Sequence, residues 1–433
     1  MFLMKKRWAA LLLALLLMLT PGTAAVSEAG EDTAGDVRGE TAQAASENAS
    51  QEDAQEDAQE TAAVPDAEGT LSFENLGARM REHYYPLRAL EESVLTITEI
   101  DYGEMEEQLR GSLNDIASAQ WMMVANPMFM DQAQYAQMEQ AYNTMRTQYD
   151  AIRDGKLQKD NADALWQLRS AQNQMLVFGE TLFVAIKGLE AQDAALTRQI
   201  EQLDRTVREL ELRCELGQVS ALAVEQVKSG RAQAISGQKT LRMNIDTYML
   251  QLQSMTGAEL GAPLRLGALP KVGAQELAAM DLEADLTAAK KNSYELYDAE
   301  KTYKDARKEF TDNGGAGDGT TYSQKSRLHK LNTAQYTYDD KLLTYELNFR
   351  TLYAQVKDCA QTLDAKREAL AGQEREYAVS ALKFEQGNLS ANALADAKDT
   401  LAAAKDDVSN AERELFSKYR SYRWAVEYGI LNG

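Results

Sequence analysis

The sequence predicts an elongated all-α fold, built from a duplicated pair of long coiled-coil helical hairpins with little or no β structure. Three observations support this prediction. A short turn motif occurs twice, 170 residues apart, and a long helical stretch precedes each copy. Along those stretches, apolar residues alternate at spacings of three and four, as in coiled coils. Only six of the 433 residues are Pro, and Ala, Gln, Glu, Leu and Lys are abundant, which is typical of helices.

The repeated motif reads Glu215-Leu-Gly-Gln-Val-Ser-Ala in the first copy and Glu385-Gln-Gly-Asn-Leu-Ser-Ala in the second. A glycine adopts the positive φ that ends a helix, and a serine three residues later caps the next helix. Each motif is therefore predicted to join a long helix to a shorter one. The match continues on both sides of the turn, at Leu212/Leu382, Ala223/Ala393, Lys228/Lys398, Ala232/Ala402 and Ala234/Ala404.

An apolar seam indicates coiled-coil packing of both long helices. In the first copy the seam runs through Leu165, Leu168, Met175, Leu182, Ile186, Leu189, Leu196, Ile200, Leu203, Val207, Leu210 and Cys214, and its interruptions are Gln172, Gly179 and Asp193. In the second copy it runs through Tyr338, Leu342, Tyr345, Phe349, Leu352, Val356, Cys359, Leu363 and Leu370. A helix of about 60 residues is about 90 Å long, so the protein is predicted to be elongated.

A shorter helix is expected before each long one. In the second copy it covers about residues 278–310 and ends at a polar, Gly-rich loop, 311–320. In the first copy it begins near Ile97 and is interrupted at Trp121–Met130, before a helical piece at about 131–154. Two interpretations of the apolar Trp121–Met130 stretch stay open, packing at a helix break or contact with a membrane or partner.

The first 25 residues have the pattern of a secretory signal peptide. A basic start, Lys5–Arg7, precedes an apolar run, and Thr23-Ala-Ala forms a small-residue cleavage site. The mature chain is therefore expected to be exported. We divide the chain into the signal peptide (1–25), an acidic disordered segment (26–70), a first helical repeat (71–257), a linker (258–276) and a second helical repeat (277–433).

The charge of the chain is strongly negative and unevenly distributed. Its net charge is −21, and residues 26–69 hold thirteen acidic side chains against the single Arg38. Such a segment lacks the apolar residues needed for a core, which predicts disorder. An acidic surface also argues against nucleic acid as a partner.

The sequence offers no pattern for catalysis, metal binding or a cofactor, so we predict a protein that is not an enzyme. His83 and His329 have no Cys or His at ligand spacing. No nucleophile elbow, phosphate loop or dinucleotide fingerprint is present. The repeat alignment places Cys214 and Cys359 about 37 Å apart along equivalent helices, which argues against a disulfide.

The two turns and their flanks resemble those of the TolC-type outer membrane efflux proteins. The second turn with Ala391–Ala397 resembles the second turn of that family, and Glu215–Val227 resembles the first. Leu95–Glu99 and Lys291-Asn292 resemble the phrases that open the two repeats of the family. The similarity covers about residues 95–433.

The resemblance implies a homotrimer whose helices form an α-helical barrel around a water-filled conduit. It also implies that the tip turns dock a membrane-fusion adaptor protein, which works with an inner-membrane pump of the ABC or a similar type. The docking residues would be Gly217, Val219, Ser220, Gly387, Leu389 and Ser390. The location implied is the cell envelope, at the outer membrane and periplasm, or on the cell wall or extracellular side of a host without an outer membrane.

The family carries acidic gate residues six and nine positions after the turn glycine. In the second repeat Ala393 occupies the first position and Asp396 the second. In the first repeat these positions hold Ala223 and Gln226. A pore constriction at Asp396 and Gln226 is therefore one interpretation, and a solvated helix face at Asp396 is the other.

The chain departs from the family where membrane strands are expected. Neither the polar 311–324 stretch nor the apolar 121–130 stretch has the alternating pattern of such strands, so we predict that they are missing and leave membrane contact open. An alternative function is therefore an exported coiled-coil structural or interaction protein of the envelope without a channel. A membrane-fusion adaptor would need β-rich segments, which the sequence lacks.

Overall fold

The computed structural model describes residues 66–125, 131–313, 315 and 321–431. All of them belong to the second of two compact units, Thr61–Gly433. The predicted signal peptide and the acidic segment up to residue 65 lie outside the described residues. So do residues 126–130 of the apolar Trp121–Met130 stretch and most of the predicted Gly-rich loop.

The described part of the chain is helical apart from two short strands. The first repeat contains α1 (Phe73–His83), α2 (Tyr85–Thr98), α3 (Tyr102–Ala125), α4 (Gln132–Arg153), α5 (Lys156–Glu215) and α6 (Ala221–Thr256). The second contains α7 (Ala274–Ala278), α8 (Leu282–Asn292), α9 (Tyr294–Asp312), α10 (Tyr322–Glu385) and α11 (Ala391–Tyr428). The strands are β1 (Thr70–Leu71) and β2 (Arg265–Leu266).

The predicted fold class is confirmed, because each repeat contains one very long helix followed by a tight turn. Helices α5 and α10 have 60 and 64 residues. At 1.5 Å per residue they are about 90 to 95 Å long. Gly155 precedes α5 in the left-handed conformation, with φ of +71°. A reciprocal capping box starts α10, in which Thr321 and Gln324 each accept a hydrogen bond from the backbone N–H of the other at 3.3 Å.

Four helices lie side by side in the order α6, α5, α11 and α10. Each helix runs antiparallel to its neighbour. The α5–α6 contact includes an ion pair of 2.9 Å between Asp193 and Arg242. The α5–α11 contact, which joins the two repeats, includes a hydrogen bond of 3.1 Å from Asn392 to Glu209. This layer places α6 and α10 at its two outer edges.

The apolar core lies in the half of the layer that is distant from the turns. The predicted seam residues Leu182 and Ile186 are buried in the first repeat, and Tyr345, Phe349 and Val356 are buried in the second. Two core clusters form around them. The first cluster includes Leu76, Met80, Phe183, Leu252 and Phe416, and the second includes Leu286, Leu296, Leu352, Leu415 and Tyr422.

Helix α1 explains one interruption of the predicted seam. Met80 packs directly against Gly179, so the structure leaves no room for a Cβ at that position. On the same helix, the ring of Phe73 contacts Phe183 and Phe416 edge-to-face, at centroid distances of 5.5 and 4.9 Å. Gly179 is therefore a contact point for α1, and α1 joins both repeats.

The linker is tied to the start of the first repeat. β1 and β2 pair in parallel, with Thr70 opposite Arg265 and Leu71 opposite Leu266. The side chain of Asp66 accepts a hydrogen bond of 3.1 Å from the backbone N–H of Ser72. Residues 66–70, which the sequence analysis placed in the acidic segment, therefore have defined structure, and the linker residues 258–276 contain β2 and the start of α7.

A polar cluster around Asp163 connects α5 to α9. Its carboxylate accepts hydrogen bonds from Tyr297 and Lys301. Trp166, one turn later on α5, packs on the ring of Tyr297 with 4.5 Å between centroids. Burial by itself raises the pKa of the Asp163 carboxyl, but the hydrogen bonds from Lys301 and Tyr297 outweigh it and lower the pKa below its usual 3.8.

A second polar cluster connects α5 to α11. Arg420 donates two hydrogen bonds to Glu180, at 2.8 and 2.7 Å. The indole N–H of Trp424 donates a third, at 2.7 Å. The Glu180 side chain is 14% exposed, so this carboxylate is an anchor between the repeats inside the core half of the layer.

Helices α3 and α4 form an antiparallel hairpin whose end carries exposed apolar side chains. Helix α3 ends at Ala125, and Asp131 caps α4 by accepting a hydrogen bond of 2.9 Å from the N–H of Ala133. Trp121 and Val124 are 73% and 49% exposed, so these described residues do not pack at a helix break. Among the helices that the structure describes, none combines the length and apolar character needed to cross a bilayer.

Candidate functional site

The two predicted turns have the same backbone geometry. Gly217 and Gly387 adopt φ of +72° and +73°. After each glycine, a backbone N–H reaches back to the carbonyl five residues earlier, from Gln218 to Arg213 and from Asn388 to Lys383, both at 2.8 Å. This is the hydrogen-bond pattern of a Schellman motif. The duplication is therefore preserved in the conformation of the turns.

The serines of both turns cap the following helix, as the sequence predicts. Ser220 accepts a hydrogen bond of 3.3 Å from the N–H of Ala223, and Ser390 accepts one of 3.2 Å from the N–H of Ala393. Val219 and Leu389 are half-buried within the turns, whereas the glycines and serines are exposed.

The two turns lie at the same end of the helical layer, which we call the tip. Because α5 and α11 are antiparallel, the hydrogen bond between Glu209 and Asn392 fixes their alignment. Glu209 comes eight residues before Gly217, and Asn392 comes five residues after Gly387. The structure therefore brings together all six predicted docking residues at the tip, on two adjacent hairpins of one chain.

Large apolar side chains surround the turns and face solvent. Leu212 and Leu382, which occupy equivalent positions in the repeats, are each 57% exposed, and Leu216 is 65% exposed. Phe384 is 41% exposed. Apolar side chains exposed at one end of a molecule are candidates for contact with a partner. In the sequence, Leu212 and Leu382 stand out only as repeat matches, because the residue pattern does not show which face the neighbouring hairpin leaves uncovered.

The structure places Asp396 beside a cation. One carboxylate oxygen of Asp396 lies 3.7 Å from a guanidinium nitrogen of Arg205, which also pairs with Asp399. The Asp396 side chain is 61% exposed, so the contact contributes about 0–1 kcal/mol. Gln226, at the equivalent position of the first repeat, is exposed on α6. The two predicted constriction residues therefore lie on different helices, and Arg205 partly compensates the charge of Asp396.

Ion pairs connect the helices near the tip. Between α5 and α6, Glu211 pairs with Lys228 at 2.9 Å, and this hydrogen bond raises the pKa of Lys228. Between α10 and α11, Lys366 pairs with Asp407 at 2.7 Å. Buried apolar residues are sparse in this half of the layer, where Val224 is an example. We call this set of charged contacts the ionic ladder.

The two cysteines are free thiols on separate long helices and are both half-buried. Burial raises the pKa of the Cys359 thiol, and the carboxylates of Glu414 and Asp358 add to this effect. Across the described residues, no group of three or more His, Cys, Asp or Glu side chains is arranged to hold a metal ion.

The fold and the tip define a class of all-α proteins made of duplicated hairpins with paired turns at one end. Comparison with solved structures gives similarity to outer membrane channels of the TolC type. The outer membrane protein VceC of Vibrio cholerae is 14% identical, over 63% of this chain and 76% of that chain, with a TM-score of 0.42. The transmembrane channel CusC is 12% identical, over 81% and 99%, with a TM-score of 0.44.

The outer membrane channel OprN is 11% identical, over 82% of this chain and 90% of that chain, with a TM-score of 0.46. No protein-family model matches the sequence, and no curated protein matches it.

Proposed function

We propose that this protein is the exit-duct component of an envelope-spanning efflux or secretion system. Three copies would close into a helical tube that acts as a passive conduit, and the tip would dock a membrane-fusion adaptor and its pump. The observation that carries the proposal is an exposed surface on each of the two outer helices, α6 and α10. Helix α6 is the repeat equivalent of α11, and α10 is the repeat equivalent of α5. The surfaces by which α5 and α11 contact each other within the chain therefore have exposed equivalents on α10 and α6.

The internal contact between repeats supplies the pattern for a contact between copies. Helix α5 corresponds to α10, and α11 corresponds to α6, with an offset of 170 residues. Within one chain, Glu209 of α5 contacts Asn392 of α11 at 3.1 Å. Adding 170 to 209 gives Val379, and subtracting 170 from 392 gives Leu222. These two apolar residues are 49% and 69% exposed.

The exposed surface of α10 is therefore expected to pack against α6 of a second copy, and not against α10 of that copy. If α10 of one copy packs against α6 of the next in the register of α5 and α11, Val379 meets Leu222. Further exposed apolar side chains lie on both edges. They are Met243 and Leu250 on α6, and Leu343 and Leu347 on α10. A head-to-tail contact of this kind forms a closed ring when the rotation from each copy to the next adds up to a full turn. The number three, and a barrel of twelve helices, come from the TolC-type resemblance.

Two features support docking of a partner at the tip: its turns are capped by hydrogen bonds, and exposed Leu212, Leu216, Leu382 and Phe384 lie around them. Three copies would present six such turns around one opening. Selectivity would then depend on the width of the bore and on side chains such as Asp396 and Gln226. The presence of Arg205 beside Asp396 predicts a weaker cation preference than a ring of unpaired carboxylates would give.

Cross-linking tests the proposed ring. In a Cys214→Ser/Cys359→Ser background, the double variant Leu222→Cys/Val379→Cys is treated with a short bis-maleimide. We expect covalent dimers and trimers, with trimer as the largest major product. The matched control is Glu209→Cys/Asn392→Cys, whose equivalent pair lies within one chain and should give an internally linked monomer. Each single-cysteine variant should stay monomeric.

Products that remain monomeric, or a series of cross-linked products larger than a trimer, would contradict the closed ring. The first result would favour the alternative of an envelope coiled-coil protein without a channel. Negative-stain images and light scattering of the mature protein provide a second readout. A hollow rod with the mass of a trimer is expected.

A further inference from the structure

A cleft of about 440 Å³ lies where the linker crosses the two repeats. Its walls come from Ala268–Lys271 of the linker, from α5 and from α11. The cleft is distant in sequence from both turns and from the edges used in the proposed ring. Its polar side chains are Lys187, Glu190, Lys271, Ser409, Glu412 and Arg413.

Arg413 is the unusual member of this cleft. Its guanidinium donates a hydrogen bond of 2.8 Å to the side-chain oxygen of Asn410. Among the described residues, no carboxylate lies within the 4.0 Å of an ion pair with Arg413. Burial lowers the pKa of Arg413, and the more distant charge of Glu414 opposes this only in part. The side chain is thus a half-buried cation without a partner anion in the described part of the chain, whereas buried charges are normally paired.

Gly188 makes room for this guanidinium. A Cβ at residue 188 would lie 3.3 Å from Nε of Arg413, which is a tight contact, and 3.6 Å from Cζ, which is an ordinary one. Glycine is disfavoured in the interior of a helix, and residue 188 lies near the middle of the 60-residue α5. A residue that is unfavourable inside a helix therefore lies where α5 contacts the Arg413 side chain.

The remaining charges give the cleft a positive balance. Lys187 pairs with Glu190 at 2.8 Å. Lys271 contacts Glu412 at 3.3 Å, and Glu412 also pairs with Arg367 at 3.1 Å. The cleft is thus lined by three cations against two carboxylates, and Arg367, outside the lining, is shared between Glu412 and Asp364. This contrasts with the net charge of −21 for the whole chain.

We propose that this cleft binds a small phosphate-bearing anion, with Arg413 as its main ligand and Lys187 and Lys271 as flanking cations. A guanidinium binds phosphate oxygens through two parallel hydrogen bonds. The hydroxyl of Ser409 offers a further donor, and Leu269 with Pro270 provides apolar surface for the body of a phosphate monoester or a lipid headgroup. Because the cleft is formed by the linker and both repeats, a bound anion would stabilise the joint between them.

Calorimetric titration of the mature protein at low ionic strength tests the site. The probes are inorganic phosphate and, separately, phosphatidylcholine vesicles with and without phosphatidic acid. Arg413→Gln should weaken binding about tenfold or more, because hydrogen bonds to charged groups are the strong ones. Lys271→Gln, on an exposed linker residue that should not affect folding, should weaken binding by a smaller factor. Bound phosphate should also raise the melting temperature of the unmodified protein.

The matched control is Arg375→Gln, which removes the same charge from an exposed position on α10. It should bind phosphate like the unmodified protein. Binding of vesicles but not of inorganic phosphate would identify a headgroup as the source of the anion. No binding of either probe, or equal binding by the Arg413→Gln and Arg375→Gln variants, would overturn the proposal. Neither result would affect the cross-linking pattern expected for the ring.

Discussion

The carboxylate of Glu180 offers a direct test of what holds the two repeats together. In Glu180→Gln the side chain keeps its size and one acceptor oxygen, but it loses the charge that faces Arg420. The wild-type contact has three hydrogen bonds, with lengths of 2.7 to 2.8 Å. The side chains of Arg420 and Glu180 are 36% and 14% exposed, so this pair is neither fully buried nor fully solvated.

The expected magnitude lies between two limits. Removing one partner of a fully buried ion pair costs about 3–5 kcal/mol. An exposed pair contributes about 0–1 kcal/mol. For Glu180→Gln we expect a loss of about 2 kcal/mol in the free energy of unfolding, because water still reaches about a third of Arg420. A double-mutant cycle with Arg420→Gln should give a coupling energy of about 1–2 kcal/mol.

Denaturant titrations of the four proteins measure this coupling. Far-UV circular dichroism reports helix loss, and tryptophan fluorescence reports the combined surroundings of Trp121, Trp166 and Trp424. Arg423→Gln, which breaks an exposed pair with Glu427 on the same helix, is the matched control and should cost less than about 0.5 kcal/mol. A coupling energy near zero would refute the role of Glu180 as an anchor between repeats.

Two further predictions follow from the polar cluster of α5 and from the turns. The lowered pKa of Asp163 means that its contribution to stability is present above the unfolded value of 3.8 and is lost as pH falls through the folded value. Asp163→Asn should therefore flatten the acid side of a stability–pH curve, and an unchanged acid side would contradict this role of Asp163. Gly217→Ala and Gly387→Ala should each destabilise the tip by about 1 kcal/mol, because φ is positive there although a Cβ meets no atom. Gly372→Ala, at an open position inside α10, should stabilise by about 0.5–1 kcal/mol. The melting temperature should therefore fall for the turn variants and rise for Gly372→Ala, and shifts in the same direction would contradict the assignment of the turns.

The sequence predicts those parts of the fold that depend on local chemistry. Gly217 with Ser220, and Gly387 with Ser390, encode their turns within seven residues, and the structure has both turns there. The seam around Leu182 was predicted because it depends on a spacing that is visible in the sequence.

Contacts between distant segments could not be predicted in this way. The seam pattern gives no reason for Gly179, because the reason is Met80, almost a hundred residues earlier. The cation beside Asp396 was missed for the same reason, since Arg205 belongs to the other repeat. The predicted seam also continues to Cys214, although its side chains beyond residue 190 are only half-buried. Within a single layer of helices, each helix has neighbours in the plane of the layer but none above or below it, so an apolar stripe need not become a core.

The ionic ladder gives the molecule a gradient of local stability along its length. Opening free energies follow the density of buried apolar contacts, so amide protons at the tip should exchange with solvent sooner than those around Phe349 or Ile186. Added salt should steepen this gradient, because it screens half-exposed ion pairs and leaves apolar packing intact. A partner that docked at the tip, as proposed, would therefore meet the part of the helices with the lowest expected local stability. Part of its binding free energy would be used to order them, and its apparent affinity would become sensitive to ionic strength.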